Sequence, residues 1–371
     1  MSKKVLGIVN IEPSYVHVEG IEDYRPISAT SIMGRYRVID FILSNFTNSG
    51  IYNIDIQVKN RPRSTIAHIQ HTNYNINTKR GNIRILHGEK AIPNEIYNTD
   101  VASLMNNLQY FEESNAPYVI LAPSHFIYVQ DFNELIDYHI KSKNDITILY
   151  QNTQRANEDF LMCDTLEMNA SKRITKIEKN LGKSKREKIS LETYIMSKKI
   201  FIDMIYAAMA TSSLYSLSDI IADGVDIFKI GGYCHSGYAA CLSTINAYYR
   251  ASMEIKKEKE LHSMFKDSWP IYTATNDTCP TLYKNGSKVT NSIVGNGCII
   301  EGTVSNCVIG RNVVIKDGAI IKDSVIMPDV LINKNVKMDK CIVDRMAIVT
   351  HIKALAGDDQ KPLYIRRGDR I

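Results

Sequence analysis

The sequence lacks a long apolar run, a paired-cysteine motif and a large excess of charge of either sign. Its first apolar run, Val5–Val9, is too short for a signal peptide or a membrane span, and it is predicted to be a buried strand. The seven cysteines are odd in number and none lies in a Cys-x-x-Cys pair, which argues against a disulfide framework and against a zinc site. These absences predict a protein of the reducing cytoplasm that does not associate with membranes.

The charge composition gives no indication of nucleic acid binding. The net charge is +5 over 371 residues, which is too mild to indicate nucleic acid binding by itself. Apolar residues make up 44% of the chain and charged residues 23%, as in ordinary soluble globular proteins. A chain of this length predicts two domains, or one large domain and one small, with ample core.

Up to about residue 250, short apolar runs alternate with amphipathic helical stretches. Further strands are predicted at Ile54–Val58, Tyr118–Ala122 and Ile146–Tyr150. A helix is predicted over Phe132–Ser142, with Asp131 as its N-cap. The alternation favours an α/β domain with a mostly parallel sheet and helices on both faces. Ligands bind such sheets outside the carboxyl ends of the strands, so chemistry is expected in the loops after residues 9 and 122.

The pattern changes after residue 250. Residues 251–285 combine a charged helical end with an extended, proline-punctuated stretch, and they are predicted to be a connector. Beyond it, apolar residues recur at intervals of six: Val308, Val314, Ile320, Ile326, Ile332 and Met338. Six residues per rung is typical of a hexapeptide β-helix rather than a β-sandwich, and its stacked coils bury these side chains. The predicted domains are therefore an α/β domain over 1–250, the connector over 251–285 and a β-helix domain over 286–371.

One stretch is specific enough to indicate a family. Residues 34–51 read Gly-Arg-Tyr-Arg-Val-Ile-Asp-Phe-Ile-Leu-Ser-Asn-Phe-Thr-Asn-Ser-Gly-Ile, which resembles the signature of glucose-1-phosphate adenylyltransferases, also called ADP-glucose pyrophosphorylases. Residues 174–179, Ile-Thr-Lys-Ile-Glu-Lys, are similar to the part of that family that binds glucose 1-phosphate. The resemblance covers essentially the whole chain. It implies a Rossmann-like, GT-A-like nucleotidyltransferase domain followed by a left-handed parallel β-helix of hexapeptide repeats.

The chain departs from this family where the chemistry takes place. A family member joins a sugar phosphate to a nucleoside triphosphate, and it uses a Gly-rich loop, a lysine and two metal-binding aspartates. Here the loop lacks glycines and contains Glu12, which would repel a triphosphate, and Pro13, which has no N–H to offer. Ile27 stands at the lysine position, and Ser124 and Cys241 stand at the two aspartate positions. A hydroxyl and a thiol are both poor ligands for Mg²⁺.

These replacements predict that the chain has no catalytic residues of the family kind. Loss of one preorganised electrostatic group already lowers reaction rates by about 10²–10³. The pattern resembles the GlgD-type regulatory subunit of bacterial glycogen biosynthesis. That resemblance implies a hetero-oligomer, expected to be a heterotetramer, with a catalytic glucose-1-phosphate adenylyltransferase subunit that this chain modulates. It also implies no cofactor and no metal in this chain, with Mg²⁺ expected only in the catalytic partner subunit.

Some substrate-binding positions of the family keep a suitable residue. The resemblance assigns vestigial substrate contacts to Arg25, Glu178, Lys179 and Ser190. However, Asn180 replaces a proline of the family and Glu192 replaces a glycine, which argues against intact sugar binding.

A basic segment forms a second candidate site. No acidic residue lies between residues 57 and 88, where the cations are Lys59, Arg61, Arg63, Lys79, Arg80 and Arg84. They indicate either a solvated surface or a site for an anionic effector, such as a sugar phosphate or a nucleotide. Nucleic acid is disfavoured because Tyr52 and Tyr74 are too sparse for base stacking. His68, His71 and His87 are interpreted as polar loop histidines rather than metal ligands.

Two other functions remain open. The chain is an active glucose-1-phosphate adenylyltransferase if substitute residues carry the chemistry. Hexapeptide-repeat acyltransferases form a third class, but they usually place a catalytic histidine on the β-helix, and residues 291–345 contain none.

Overall fold

The computed structural model describes residues 4–11, 13–58, 61–88, 99–212 and 214–371. Within these ranges the chain forms two compact units, and each is built from several stretches of sequence. The first unit comprises Met1–Val16, Phe41–Pro62 and Asn73–Cys241, and the second comprises His17–Asp40, Arg63–Thr72 and Leu242–Ile371. Residues that are distant in sequence therefore share each core.

Helices and strands are interspersed up to residue 264, and the regular elements beyond it are short strands. The helices are α1 (Val38–Asn48), α2 (Arg63–Gln70), α3 (Asp100–Asn106), α4 (Leu108–Glu112), α5 (Phe132–Ser142), α6 (Lys198–Thr211), α7 (Leu217–Asp223), α8 (Ile245–Ile255) and α9 (Glu258–Met264). The strands up to residue 241 are β1 (Val5–Asn10), β2 (Ser31–Ile32), β3 (Tyr36–Arg37), β4 (Ile54–Val58), β5 (Ile83–His87), β6 (Tyr118–Pro123), β7 (Phe126–Tyr128), β8 (Ile146–Thr153), β9 (Asp164–Met168), β10 (Ile174–Lys179), β11 (Glu187–Ser197), β12 (Ile230–Cys234) and β13 (Ala239–Cys241). The later strands are β14 (Leu282–Tyr283), β15 (Lys288–Thr290), β16 (Ile293–Val294), β17 (Ile299–Ile300), β18 (Thr303–Ser305), β19 (Val308–Ile309), β20 (Val314–Ile315), β21 (Ile320–Lys322), β22 (Val325–Ile326), β23 (Leu331–Ile332), β24 (Lys337–Asp339), β25 (Cys341–Val343), β26 (Ile348–Val349), β27 (Ala354–Ala356) and β28 (Leu363–Ile365).

The central sheet of the first unit is mostly parallel, as predicted. Its strands follow the order β5-β4-β1-β6-β11-β8-β12, and β9 also pairs with β11 and carries β10. β11 runs antiparallel to both β6 and β8. All four strands predicted from apolar runs are confirmed, as is the helix α5. The Asp131 side chain caps that helix by accepting from the backbone N–H of Asn133 at 2.8 Å.

Polar residues of the 34–51 signature hold α1 in place within the first unit. The Asn45 side-chain amide donates to the carbonyl of Tyr128 at 3.0 Å, and its Oδ1 accepts from the N–H of Gln130 at 3.2 Å. The Ser49 hydroxyl accepts from the N–H of Phe132 at 2.9 Å. This part of the signature therefore has a scaffold role, since it ties α1 to the segments around β7 and α5.

Close packing between α1 and β1 explains why residue 7 is a glycine. A Cβ added at Gly7 would lie 2.9 Å from the ring of Phe46, which is fully buried on α1. The strand therefore requires a residue without a side chain at this position.

The second unit contains a left-handed parallel β-helix of hexapeptide type, as predicted. Its three faces are sheets with the orders β14-β17-β20-β23-β26, β15-β18-β21-β24-β27 and β16-β19-β22-β25-β28. Its interior holds Ile309, Ile315, Ile321, Ile326 and Ile332, each at most 1% exposed. Stacking one coil on the next therefore builds a continuous apolar core.

The repeat departs from strict six-residue spacing. Val308 pairs with Val325 at a spacing of 17 residues and Ile299 pairs with Val314 at a spacing of 15, where three rungs of six residues would give about 18. Val314 and Ile320, which were predicted to point inward, are only half-buried, and the residue after each of them is fully buried. The prediction of the inward positions was therefore wrong by one residue on this stretch.

The missing residue is explained by one tight corner in each coil. Asn306, Asp323 and Lys340 occupy this corner in successive coils, with left-handed φ values of 59°, 42° and 51°. Asn and Asp tolerate this conformation better than most residues. At most two residues join the strands at this corner, whereas four residues join Ile309 to Val314 and Ile315 to Ile320.

The segment predicted as a connector contains more helix than expected. α8 runs to Ile255 and α9 covers Glu258–Met264, after which the chain is extended up to β14. No helix in the described residues is long and apolar enough to cross a membrane.

Candidate functional site

The carboxyl edge of the first unit's sheet is the expected place for a ligand. β1 and β6 end there together, since Asn10 is aligned with Pro123. Ser124 follows directly, and β13 aligns Cys241 with Phe126, two residues further on. The structure therefore brings Ser124 and Cys241 to one edge, although 117 residues separate them in sequence.

These two positions do not suit a hard cation. Ser124 and Cys241 are 4% and 5% exposed, and neither carries a negative charge comparable to a carboxylate. The Ser124 hydroxyl has no hydrogen-bond partner among the described residues. Within the same part of the chain, no group of three His, Cys, Asp or Glu side chains is arranged to hold a metal ion. The residues present therefore do not fit the Mg²⁺ that nucleotidyl transfer requires.

A tyrosine from the loop after β1 closes this edge. The Tyr15 hydroxyl donates to the carboxylate of Glu192, lies 3.1 Å from Nε2 of His125 and lies 3.6 Å from Sγ of Cys163. Glu192 has a φ of 48°, in the left-handed region that favours glycine, at a position where the family has glycine. The backbone has thus kept a glycine-like conformation while gaining a side chain that binds Tyr15. Glu12, in the same loop, lies outside the described residues.

Burial shifts the ionisation of this cluster. Burial, together with the nearby Asp164 carboxylate, raises the pKa of Glu192 from 4.5 to about 7. Burial lowers the pKa of His125 to about 3, so the imidazole is neutral at physiological pH. The pKa of the Tyr15 hydroxyl is raised by burial and by neighbouring acidic groups. The cluster therefore disfavours any further negative charge.

The cationic residue predicted to bind substrate is already paired. Lys179 Nζ lies 2.6 Å from the Asp164 carboxylate and donates to the Ser218 hydroxyl at 3.2 Å. Ser218 donates in turn to Asp164 at 2.9 Å. Asp100, which is half-buried, accepts from the Asn10 side chain at 2.9 Å. The polar groups of this edge are thus largely satisfied by one another.

Of the other two substrate residues predicted in the first unit, Glu178 points away from this cluster and Ser190 adjoins it. Glu178 adjoins Lys179 on β10, so its side chain points to the opposite face, where it pairs with Lys176 at 2.9 Å. Ser190 is buried and accepts from the backbone N–H of Glu192 at 3.0 Å. Both side chains therefore make contacts within the fold of the first unit.

Two predicted residues belong to the second unit. Arg25 is 3% exposed and pairs with Asp344 at 2.7 Å, which gives it a stabilising role inside that unit. Ile27, at the position of the family's lysine, is fully buried in a short 3₁₀ turn.

The predicted basic segment has residues in both units. Arg84 pairs with Asp55 through two bonds of 2.6 and 2.8 Å, Lys79 and Arg80 are exposed in the first unit, and Arg63 begins α2 in the second. Arg61 is exposed, and Lys59 lies outside the described residues. The segment is thus divided between the two units.

His68, which was interpreted as a polar loop histidine, has a different environment in the structure. His68 lies on α2 rather than in a loop, is buried, and contacts the Asp40 carboxylate at 2.6 Å. No local pattern indicates this partner, because 28 residues separate the two.

The second unit contains a basic cavity that sequence reasoning missed. Its volume is about 210 Å³, and its lining includes Arg35, Arg37, His68, Arg311 and Arg345. We call it the arginine cavity. Burial lowers the pKa of Arg311, and the cation of Arg35 lowers it further, so the arginines are close enough to repel one another. An arrangement of this kind favours an anionic ligand such as a phosphate.

Contacts hold several of these arginines in position. Arg345 pairs with Asp329 at 2.8 Å, and Arg37 donates to the carbonyl of Ser64 at 2.7 Å. Arg311 donates to the carbonyl of Ala274 at 3.3 Å. Arg35 and Arg37 within the signature are a local sign of this site. Arg311 and Arg345 lie about 300 residues further along, so the sequence alone does not connect them with it.

Comparison with known proteins agrees with this architecture. The nucleotidyl transferase family model matches residues 25–258, and a GlmU-like C-terminal hexapeptide model matches residues 280–362. The glycogen biosynthesis protein GlgD of Bacillus subtilis (strain 168) is 29% identical over 369 residues, covering 99% of this chain and 97% of that protein. GlgD of Geobacillus stearothermophilus is 30% identical, covering 85% of this chain and 82% of that protein.

Catalytic relatives match a shorter part of the chain. Glucose-1-phosphate adenylyltransferase of Bacillus subtilis (strain 168) is 28% identical over 295 residues, covering 77% of this chain and 76% of that protein. The chain therefore belongs to the nucleotidyl transferase family, in the group formed by glucose-1-phosphate adenylyltransferases and GlgD-type glycogen biosynthesis proteins.

Proposed function

We propose that this chain is a regulatory, catalytically impaired subunit of glucose-1-phosphate adenylyltransferase in glycogen biosynthesis. It would support the synthesis of ADP-glucose and diphosphate from ATP and glucose 1-phosphate. The observation that carries this proposal is the edge formed by Ser124, Cys241 and the Tyr15–Glu192 contact. This edge lies where the family has its active site, but it lacks the two metal-binding carboxylates that the family uses there.

The acidic groups at this edge also support the proposed loss of catalysis. Glu192, Asp164 and Asp100 are acidic groups of this edge, and Lys179 is the cation that interacts with them. Both substrates of nucleotidyl transfer are phosphates, and their negative charge would be repelled here. Opening the edge would also require breaking the Tyr15–Glu192 hydrogen bond.

A chain that keeps the nucleotidyltransferase fold without the residues for nucleotidyl transfer is suited to a role in subunit assembly. We therefore propose a hetero-oligomer, expected to be a heterotetramer, with a catalytic glucose-1-phosphate adenylyltransferase subunit that holds the Mg²⁺. All seven cysteines are free thiols, which supports a cytoplasmic location. Neither nucleic acid nor a membrane is part of this proposal.

The arginine cavity supplies the proposed means of regulation. Its volume of about 210 Å³ suits one phosphorylated group rather than an extended polymer. Binding of an anion there would relieve the repulsion between Arg35 and Arg311 and would stabilise the second unit. An anionic effector, a sugar phosphate or a nucleotide, is thus proposed for this site.

The first test uses the purified chain alone with Mg²⁺, ATP and glucose 1-phosphate. Negligible turnover is expected, because Ser124 and Cys241 stand where two carboxylates would hold the metal ion. A turnover of about 1 s⁻¹ or more would favour the alternative of an active enzyme with substitute residues.

The second test is co-expression with the catalytic subunit of the same organism. The two chains should elute together in size exclusion, and kcat or substrate affinity should rise about 5- to 150-fold over the partner alone. The Arg311→Gln variant should still assemble but respond less to anionic effectors. Separate elution with unchanged partner kinetics would contradict the proposal.

A further inference from the structure

The first unit contains a cavity at the edge of the sheet opposite to Ser124. It has a volume of about 460 Å³ and is lined by the residues that precede or begin β1, β4, β5 and β6. Those four neighbouring strands run parallel, so their amino ends meet on this side. We call it the amino-edge cavity. None of the candidate catalytic or substrate residues lines it.

The charge of the amino-edge cavity is mainly positive. Lys4, Arg80 and Arg84 line it, against a single lining carboxylate, Glu113. Glu113 already accepts from the Gln109 amide at 2.8 Å. Lys4 and Arg80 are exposed and form no ion pair within the described part of the chain, so their donors are available to a ligand.

One of the cations is held rigidly. Arg84 uses two nitrogens to bind Asp55, and its Cζ lies 5.3 Å from the centre of the Tyr110 ring. The Asp55 contact raises the pKa of Arg84, so this cation stays charged at all physiological pH values. A side chain that is already held in place loses little conformational entropy when an anion binds.

The remaining lining mixes polar and apolar residues, as a sugar requires. Asn53, Asn82 and Asn115 are among them, and asparagine amides can both donate to and accept from hydroxyl groups. Tyr52 and Tyr110 contribute ring surface, although one face of Tyr110 is covered by Arg84. A volume of about 460 Å³ lies within the range of small-molecule sites, which is about 300–1,000 Å³.

We propose that the amino-edge cavity binds a phosphorylated metabolite of mononucleotide size. Lys4 and Arg80 would contact the phosphate, and the asparagine amides would contact the sugar hydroxyls. This site is separate from the arginine cavity, since all its lining residues belong to the first unit. The inference does not depend on whether the chain is a regulatory subunit.

The experiment is calorimetric titration of the full-length chain with AMP, inorganic phosphate and adenosine. Because the arginine cavity also attracts anions, the titrations use a background carrying Arg35→Gln and Arg311→Gln. In this background AMP should bind, inorganic phosphate should bind more weakly, and adenosine should bind at least about tenfold more weakly than AMP because it lacks the charge.

Two further variants locate the binding. Adding Lys4→Gln and Arg80→Gln to the background should lower AMP affinity at least about tenfold. Lys79→Gln is the matched control, because Lys79 is an exposed neighbour of Arg80 that does not line the cavity, and it should change affinity by less than about twofold. Because Lys4, Arg80 and Lys79 are all exposed, the variants at these positions should melt at the same temperature as the background protein.

Three results would overturn the inference. One is no heat of AMP binding in the Arg35→Gln, Arg311→Gln background up to about 10 mM, weaker than the usual range for a metabolite site. Another is unchanged AMP affinity after loss of Lys4 and Arg80. The third is equal binding of AMP and adenosine, which would show that the phosphate is not recognised.

Discussion

Glu192 should make the stability of the first unit depend on pH. Its carboxyl group is buried against Tyr15 and has a pKa of about 7, compared with 4.5 for an ordinary glutamate. Between these values the folded chain holds a proton that the unfolded chain has released, so the free energy of unfolding falls as pH rises. The stability linked to this proton is fully present below about pH 4.5, and it is lost as pH rises through about 7.

The size of the effect follows from the shift. Each unit of pKa difference corresponds to about 1.36 kcal/mol, so a shift from 4.5 to about 7 is worth about 3 kcal/mol at its greatest. Glu192→Gln keeps an acceptor for the Tyr15 hydroxyl but cannot ionise. The variant should therefore be about 2–3 kcal/mol more stable than the wild-type chain at pH 8, and nearly equal to it at pH 4.5.

Thermal melts of both chains at half-unit steps from pH 4.5 to 8.5 would measure this difference. Glu178→Gln is the matched control, because Glu178 is an exposed glutamate on a nearby strand. It pairs with Lys176 at the surface, and its effect should stay below about 1 kcal/mol throughout. The reasoning is refuted if the Glu192→Gln difference is the same at pH 5 and pH 8, or if the variant is less stable at pH 8.

Two further changes test packing in each unit. Arg25→Met should lower the free energy of unfolding by about 3–5 kcal/mol, because it leaves the buried Asp344 carboxylate without its cation. Urea denaturation would measure this, and adding Asp344→Asn should recover part of the loss; no recovery would mean that the charge is not the cause. Gly7→Ala should cost about 1–3 kcal/mol, since the new methyl group would lie 2.9 Å from the Phe46 ring. The cost should shrink in a Phe46→Leu background, and an undiminished cost there would contradict the proposed clash.

Local patterns were enough to predict much of the fold. The apolar runs indicated β1, β4, β6 and β8, and Asp131 was identified as the cap of α5. Such features depend on neighbours in sequence, which a single chain displays directly. The β-helix was predicted for the same reason. Its inward register was wrong by one residue at Val314 and Ile320 but right at Ile326 and Ile332, because the short corner at Asp323 shifts the pattern by one residue between them.

The site was predictable only in part. Ser124 and Cys241 could be assigned by comparison with a family signature, and both lie at the expected edge. The Tyr15–Glu192 hydrogen bond joins residues 177 positions apart, and no periodic pattern encodes such a contact. The arginine cavity combines residues near 35 with residues beyond 310, so its charge emerges only when the second unit is folded.

The discontinuous second unit has a consequence for how the chain is made. Arg25 emerges from the ribosome early, but its partner Asp344 is synthesised 319 residues later. At about 5–20 residues per second, the delay is roughly 15–60 s. During that interval the segment His17–Asp40, which includes apolar side chains that end fully buried, has no core to join. The native contacts of this segment within the second unit can therefore be completed only after residues 242–371 have been synthesised.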